Sequence, residues 1–176
     1  MIPAQFDYVA PGSLDEALGA LRDGGEDAKV LAGGHSLLPL MKLRLAAPSL
    51  LVDLRRVPGL AGIQRENGSV RIGAMTRHVD VVGAGLGLVS TAASTIADPQ
   101  VRNRGTIGGS LAHGDPASDM PAIVLALNGT IVAEGEGADR RSFISGSSEC
   151  PPASSLASSP PPSSALSASS SVSGAT

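Results

Sequence analysis

The chain has 176 residues, 42% of them hydrophobic and 16% charged, with a formal net charge of −3. That length holds one domain and is marginal for two, and the charge balance provides no basic footprint for a nucleic-acid partner. Aromatic residues make up 2% with no Trp, so the core must be built from Leu, Val, Ile and Ala. Cys150 is the single cysteine. It excludes an internal disulfide, and alone it cannot hold an iron–sulfur cluster, which takes several thiolates. No N-terminal basic-plus-apolar signal is present, and no apolar run reaches the roughly 18 residues of a membrane span. A soluble cytoplasmic protein is the expectation.

In chain order, Phe6–Val9 reads as a short strand ended by Pro11-Gly12. Ser13 and Glu16 form a capping-box pattern in front of a helix to about Arg22, with Leu14, Ala17, Leu18 and Leu21 on one face. Asp23-Gly24-Gly25 stops it. Ala28–Leu31 reads as a strand, Leu37–Leu43 as a helix and Leu50–Leu54 as another strand. Strand, helix, strand, helix, strand implies a small parallel sheet with crossover helices.

After Pro58 the texture changes. Leu60–Gln64 and Val70–Gly73 flank Asn67-Gly68, a hairpin signal. Thr76 suits the cap of a helix to Val82, and Val89–Ala97 reads as helical. Asp119 suits the N-cap of a further helix, with Pro121 in its first turn, and Thr130–Ala133 returns as a strand. Two small α+β lobes with a groove between them follow: residues 1–57, parallel and α/β, and residues 58–141, mixed or antiparallel.

Two glycine-rich stretches carry the chemistry. Ala32-Gly33-Gly34-His35-Ser36 joins a strand to a helix, an arrangement that gathers free backbone N–H groups and suits a phosphate. Thr106-Ile107-Gly108-Gly109-Ser110 has the same character, and together the two could hold the two phosphates of a dinucleotide. For the first stretch alone, an ordinary strand-to-helix turn remains an equal reading. Arg102 and Arg104 could balance pyrophosphate charge or be solvated. Asp119 at a groove suits ribose or adenosine hydroxyls. Val79–Leu88 imitates a dinucleotide fingerprint, but the third glycine is due where Leu88 stands, so the run is assigned to a loop. His113, Asp115 and Asp119 match no standard metal spacing. No G-x-S-x-G elbow exists for a serine hydrolase.

Taken with Ile2–Tyr8, Ile96–Gly105 and Gly114–Asp119, these motifs over about residues 1–141 resemble the FAD-binding medium subunit of the molybdenum hydroxylases, of the aerobic carbon monoxide dehydrogenase and xanthine dehydrogenase kind. The resemblance implies a two-lobed FAD-binding domain of the vanillyl-alcohol-oxidase (PCMH) type. It implies that Ala32–Ser36 wraps the FAD pyrophosphate, that Thr106–Ser110 contacts pyrophosphate and ribitol, and that Asp119 stands on the adenosine side. The subunit implied is an electron-transfer oxidoreductase component that does not bind the hydroxylated substrate. Electrons come from a molybdenum cofactor on a large subunit through 2Fe–2S clusters on a small one, and leave to an external acceptor. The sequence departs from the family in the glycine-rich Gly83–Leu88 and in His113, where Asn is common. The alternatives are a truncated remnant or interaction module that binds no flavin, and another FAD- or phosphate-binding enzyme using the same loops.

Residues 142–176 are expected to be a disordered tail in place of the family's C-terminal domain. Residues 151–176 hold eleven Ser, five Pro and no charge, too little apolar surface to offset ordering entropy. The abrupt switch also fits a shifted reading frame. If the frame has shifted, translating the gene in the other two frames yields a charged, periodic continuation; finding none there refutes the shift.

Overall fold

The computed structural model describes residues 2–66 and 69–135, together with the strand backbones of residues 138–144 and 169–173. The first lobe opens with strand β1 (Asp7–Val9), helix α1 (Leu14–Gly24), β2 (Ala28–Leu31), α2 (Leu37–Lys42) and β3 (Leu50–Asp53). The three strands are parallel in the order β1-β3-β2, the sheet expected from the alternation of strands and helices. The Oγ of Ser13 accepts from the Glu16 N–H at 3.2 Å. Glu16 reaches one residue further back than a capping box requires, accepting from the Gly12 N–H at 2.8 Å. Ala17 and Leu21 are buried on the α1 face expected, against Ala28, Val52, Leu54 and Val57.

The second lobe begins with the antiparallel pair β4 (Ile63–Glu66) and β5 (Ser69–Ile72). Their register, Glu66 opposite Ser69, leaves a two-residue connection. Its residues, Asn67 and Gly68, lie outside the described residues. Helices α3 (His78–Gly83), α4 (Leu88–Thr95), α5 (Pro99–Arg102), α6 (Ile107–His113) and α7 (Asp119–Ala126) follow. Ile72, Val81, Val89, Ala92, Ala93, Ile107 and Met120 form this lobe's core. Strands β6 (Thr130–Gly135), β7 (Ala138–Ile144) and β8 (Ser169–Ser173) complete an antiparallel sheet ordered β4-β5-β8-β6-β7. Leu60 and Met75 pack against the first lobe's core, joining the two. Among the described residues, no helix is long and apolar enough to cross a membrane.

Of the tail, residues 142–144 close β7, and Ser169–Ser173 form β8 between β5 and β6. A ladder needs N–H and C=O groups rather than apolar side chains. The rest of the tail, residues 145–168 and 174–176, lies outside the described residues. Three expectations are corrected. Thr76 does not cap α3: Arg77 takes the cap position, and the Thr76 hydroxyl donates to the Gly62 carbonyl and accepts from its N–H. Ser118 takes the cap position of α7 and Asp119 becomes its first helical residue. Val79–Gly83 of the fingerprint imitation is helical in α3 rather than loop, and its remainder turns on Gly85 and Gly87, with φ of 61° and 57°.

At the carboxyl end of β3, the Asp53 side chain is fully buried and accepts from the Tyr8 hydroxyl (2.7 Å), the Arg55 N–H (2.9 Å) and Arg55 Nε (2.8 Å), with Arg55 Nη2 2.7 Å away in an ion pair. Burial by itself would raise the carboxyl's pKa. The bonds from Arg55 and Tyr8 outweigh it and hold the carboxyl below its ordinary value. A lowered native pKa stabilises the fold above the unfolded-chain value of 3.8 and loses that contribution as pH falls through the native one. Asp53→Asn is expected to lower stability in urea unfolding at pH 7 by about 1–3 kcal/mol. The gap from the unsubstituted chain should shrink as the pH is taken below about 3.8; a gap unchanged down to acid unfolding overturns the assignment.

Candidate functional site

β2 ends with Leu31 level with Asp53, so Ala32–Ser36 leaves the parallel sheet at its carboxyl edge, where open α/β sheets bind ligands. Gly34 has φ +80°, a conformation open to glycine at little cost. Its carbonyl accepts from the Leu38 N–H at 3.0 Å and starts α2. Ser36 takes the cap position of α2, but its hydroxyl makes no capping bond. Among the described residues, none accepts from the N–H groups of Gly33, Gly34, His35 or Ser36. These donors are available to a ligand.

The second stretch is built differently. Expected as a loop, it is the capped first turn of α6. The Thr106 Oγ1 accepts from the Gly109 N–H at 3.2 Å, the Thr76 carbonyl from Ile107 at 3.0 Å and the Ala74 carbonyl from Gly108 at 2.9 Å. The N–H groups of Ile107, Gly108 and Gly109 are therefore spent within the chain. What it offers is a smooth glycine surface and the Ser110 hydroxyl.

The two stretches touch. A Cβ on Gly33 would lie 2.5 Å from the Arg104 carbonyl oxygen and 2.8 Å from Gly105 Cα. One on Gly109 would lie 3.5 Å from Ala32 Cβ. Between them opens a cavity of about 560 Å³, lined by Ala32, Gly33, Gly34, His35, Ser36, Thr106, Gly108, Gly109 and Ser110 among others. That volume is in the range of small-molecule and cofactor sites.

Two expected residues stand apart. Ile107 is 2% exposed and belongs to the second lobe's core, because its side chain is the apolar anchor of α6. Asp119 is exposed and does not line this cavity. Arg104 is exposed, the solvated one of its two expected readings. Arg102 fits neither: its Nη1 donates to the Ile96 and Ala97 carbonyls at 2.8 Å each, tying down the α4–α5 turn. Arg104 contributes its backbone to the contact with Gly33 and does not line the cavity. Among the described residues, no three His, Cys, Asp or Glu could hold a metal ion together.

Sequence reasoning missed several lining residues, among them Lys29, Leu54 and Met75. They come from strand and linker positions with no motif around them. It also missed His78, fully buried at the start of α3, whose Nε2 lies 3.0 Å from Ser110 Oγ. Burial pushes the His78 pKa down and keeps the ring neutral at pH 7.

A parallel α/β lobe and an antiparallel α+β lobe meeting over a glycine-lined cavity define a two-lobed cofactor-binding domain. The family model described as the FAD-binding domain in molybdopterin dehydrogenase matches residues 4–146, and the chain belongs to that family. It is 54% identical over 140 residues to a carbon monoxide dehydrogenase medium chain of Hydrogenophaga pseudoflava, covering 77% of this chain and 49% of that one. It is 49% identical over 146 residues to the 6-hydroxypseudooxynicotine dehydrogenase complex subunit alpha of Paenarthrobacter nicotinovorans, covering 80% and 49%. A solved Hydrogenophaga pseudoflava carbon monoxide dehydrogenase structure superposes with a TM-score of 0.85 at 43% identity, over 100% of this chain and 61% of that one. The chain thus spans about half the length of the curated relatives it matches.

Because Gly33 meets backbone that cannot move aside, Gly33→Ala is expected to lower stability by about 1–3 kcal/mol through overpacking. Thermal unfolding measures this, and an unchanged midpoint would mean that the lobes do not meet there.

Proposed function

We propose that the chain binds FAD in this cavity and serves as the flavin unit of a molybdenum hydroxylase. In that role it takes electrons from iron–sulfur clusters on a small partner subunit, themselves fed by a molybdenum cofactor on a large one, and passes them to an external acceptor. The observation that carries the reading is the run of four unpartnered N–H groups, Gly33 to Ser36, in a loop lining the cavity. Successive free N–H groups at a helix start suit a pyrophosphate. Family membership and the likeness to carbon monoxide dehydrogenase medium chains support FAD as the dinucleotide.

The residues fit the group on structural grounds. Gly33 and Gly109 let the two stretches approach each other closely, and Gly34 with its φ of +80° turns the first into α2 beside the cavity. Ala32–Ser36 would hold the pyrophosphate through backbone N–H groups and the Ser36 hydroxyl. Thr106–Ser110 would border it from the other lobe, with Gly108 and Gly109 as surface and Ser110 as hydrogen-bonding side chain. Ile107 supports that turn from beneath. Asp119 has no contact in this assignment. Bound FAD supplies the redox chemistry; the chain's own part is to bind, orient and shield it and to set its electrostatic surroundings.

Titration of the purified chain with FAD, followed by flavin fluorescence, is expected to show saturable binding at one site. Ser36→Asp, which puts a carboxylate where phosphate is expected, should weaken binding by at least about tenfold. A chain that binds no FAD refutes the reading and leaves the interaction-module alternative. Co-purification with the molybdenum and iron–sulfur subunits, and loss of the oxidised-flavin absorbance when their substrate is added, tests the electron-transfer role.

A further inference from the structure

His78 is 1% exposed, and its Nδ1 has no hydrogen-bond partner among the described residues. Its backbone N–H donates to the Gly105 carbonyl at 3.0 Å, fixing the start of α3 against the second stretch. The ring lies over Gly105, where a Cβ would stand 3.1 Å from Cδ2. Nε2 is 3.0 Å from Ser110 Oγ, the one side-chain partner the ring has among the described residues. Ser110 lines the cavity.

A neutral imidazole carries its proton on one nitrogen. With the proton on Nδ1, an N–H is buried without an acceptor, and Nε2 accepts from the serine O–H. With the proton on Nε2, the orphan is only a lone pair, and Nε2–H donates to Ser110 Oγ. Orphaned buried donors are rarer than under-satisfied acceptors, so the second arrangement costs less. It leaves the serine O–H free to point away from the ring.

We propose that His78, held as the Nε2–H tautomer, is a positioning residue that turns the Ser110 hydroxyl into a donor aimed at an anionic oxygen of the bound ligand. The ligand's identity as FAD rests on the function proposed above; the orientation of the hydroxyl does not. The proposal accounts for how the second stretch contributes a donor although the N–H groups of Ile107, Gly108 and Gly109 are spent within the chain.

Nitrogen NMR of the full chain carrying ¹⁵N-histidine, without ligand at pH 7, is expected to show the His78 proton on Nε2. A proton on Nδ1 overturns the proposal. In FAD titrations, Ser110→Ala and His78→Leu should each weaken binding about tenfold, the size of one hydrogen bond to a charged acceptor. His78→Gln, whose amide can donate in the same direction, should stay within about threefold of the unsubstituted chain. In the Ser110→Ala background, His78→Leu should cost nothing more; an equal loss in both backgrounds marks a merely structural role and overturns the proposal. If His78→Leu fails to fold, His78→Gln and the tautomer decide. An unsubstituted chain that binds no FAD refutes the ligand assignment, and the tautomer still decides whether His78 turns the hydroxyl.

Discussion

The close approach of two backbones holds this molecule together at its functional centre. Gly33 of the first lobe lies against Arg104 and Gly105 of the second so tightly that a methyl group would sit 2.5 Å from a carbonyl oxygen. Gly108 repeats the arrangement within the second lobe, where a Cβ would stand 2.6 Å from Ala74 Cβ. Glycine at these positions serves chain-to-chain packing before it serves a ligand. The two lobes can border one cavity because nothing projects between them.

The two glycine stretches divide the work unequally. The first contributes backbone donors that no other described residue uses, at the carboxyl edge of a parallel sheet. The second spends the N–H groups of Ile107, Gly108 and Gly109 on its own cap and on the carbonyls of Thr76 and Ala74. This locks α6 to the segment before α3 and brings Ser110 to the cavity with buried His78 behind it. On the reading proposed above, one side would cradle an anion through its backbone, and the other would be a wall that carries the Ser110 hydroxyl. Such a division fits a cofactor that must be gripped at its charge and held still along its length.

Asp53 supports the same centre from below. It closes β3 beside Leu31, the residue before the first loop, and its three hydrogen bonds and ion pair gather Tyr8 of β1 and Arg55 beyond β3. A fully satisfied buried carboxylate is costly to rearrange. It ties the sheet edge from which the cradle departs.

The sequence alone determined the local structure well. Alternation of apolar runs with capped amphipathic segments set the parallel sheet, and the Asn67-Gly68 signal set the antiparallel pair on either side of it. Motif spacing pointed to the two glycine stretches, because a strand-to-helix turn without side chains leaves a pattern in one dimension. Only the tertiary structure decided which donors were free. Hydrogen bonds from Ile107 to Thr76 and from Gly108 to Ala74 join residues about 30 apart in sequence, and no local pattern encodes them. The same holds for Asp119, which opens a helix away from the cavity, and for His78, whose meaning lies in being buried beneath Ser110. Caps, turns and periodicity act between near neighbours along the chain and are legible there. Burial and donor satisfaction depend on what distant segments bring to the same place.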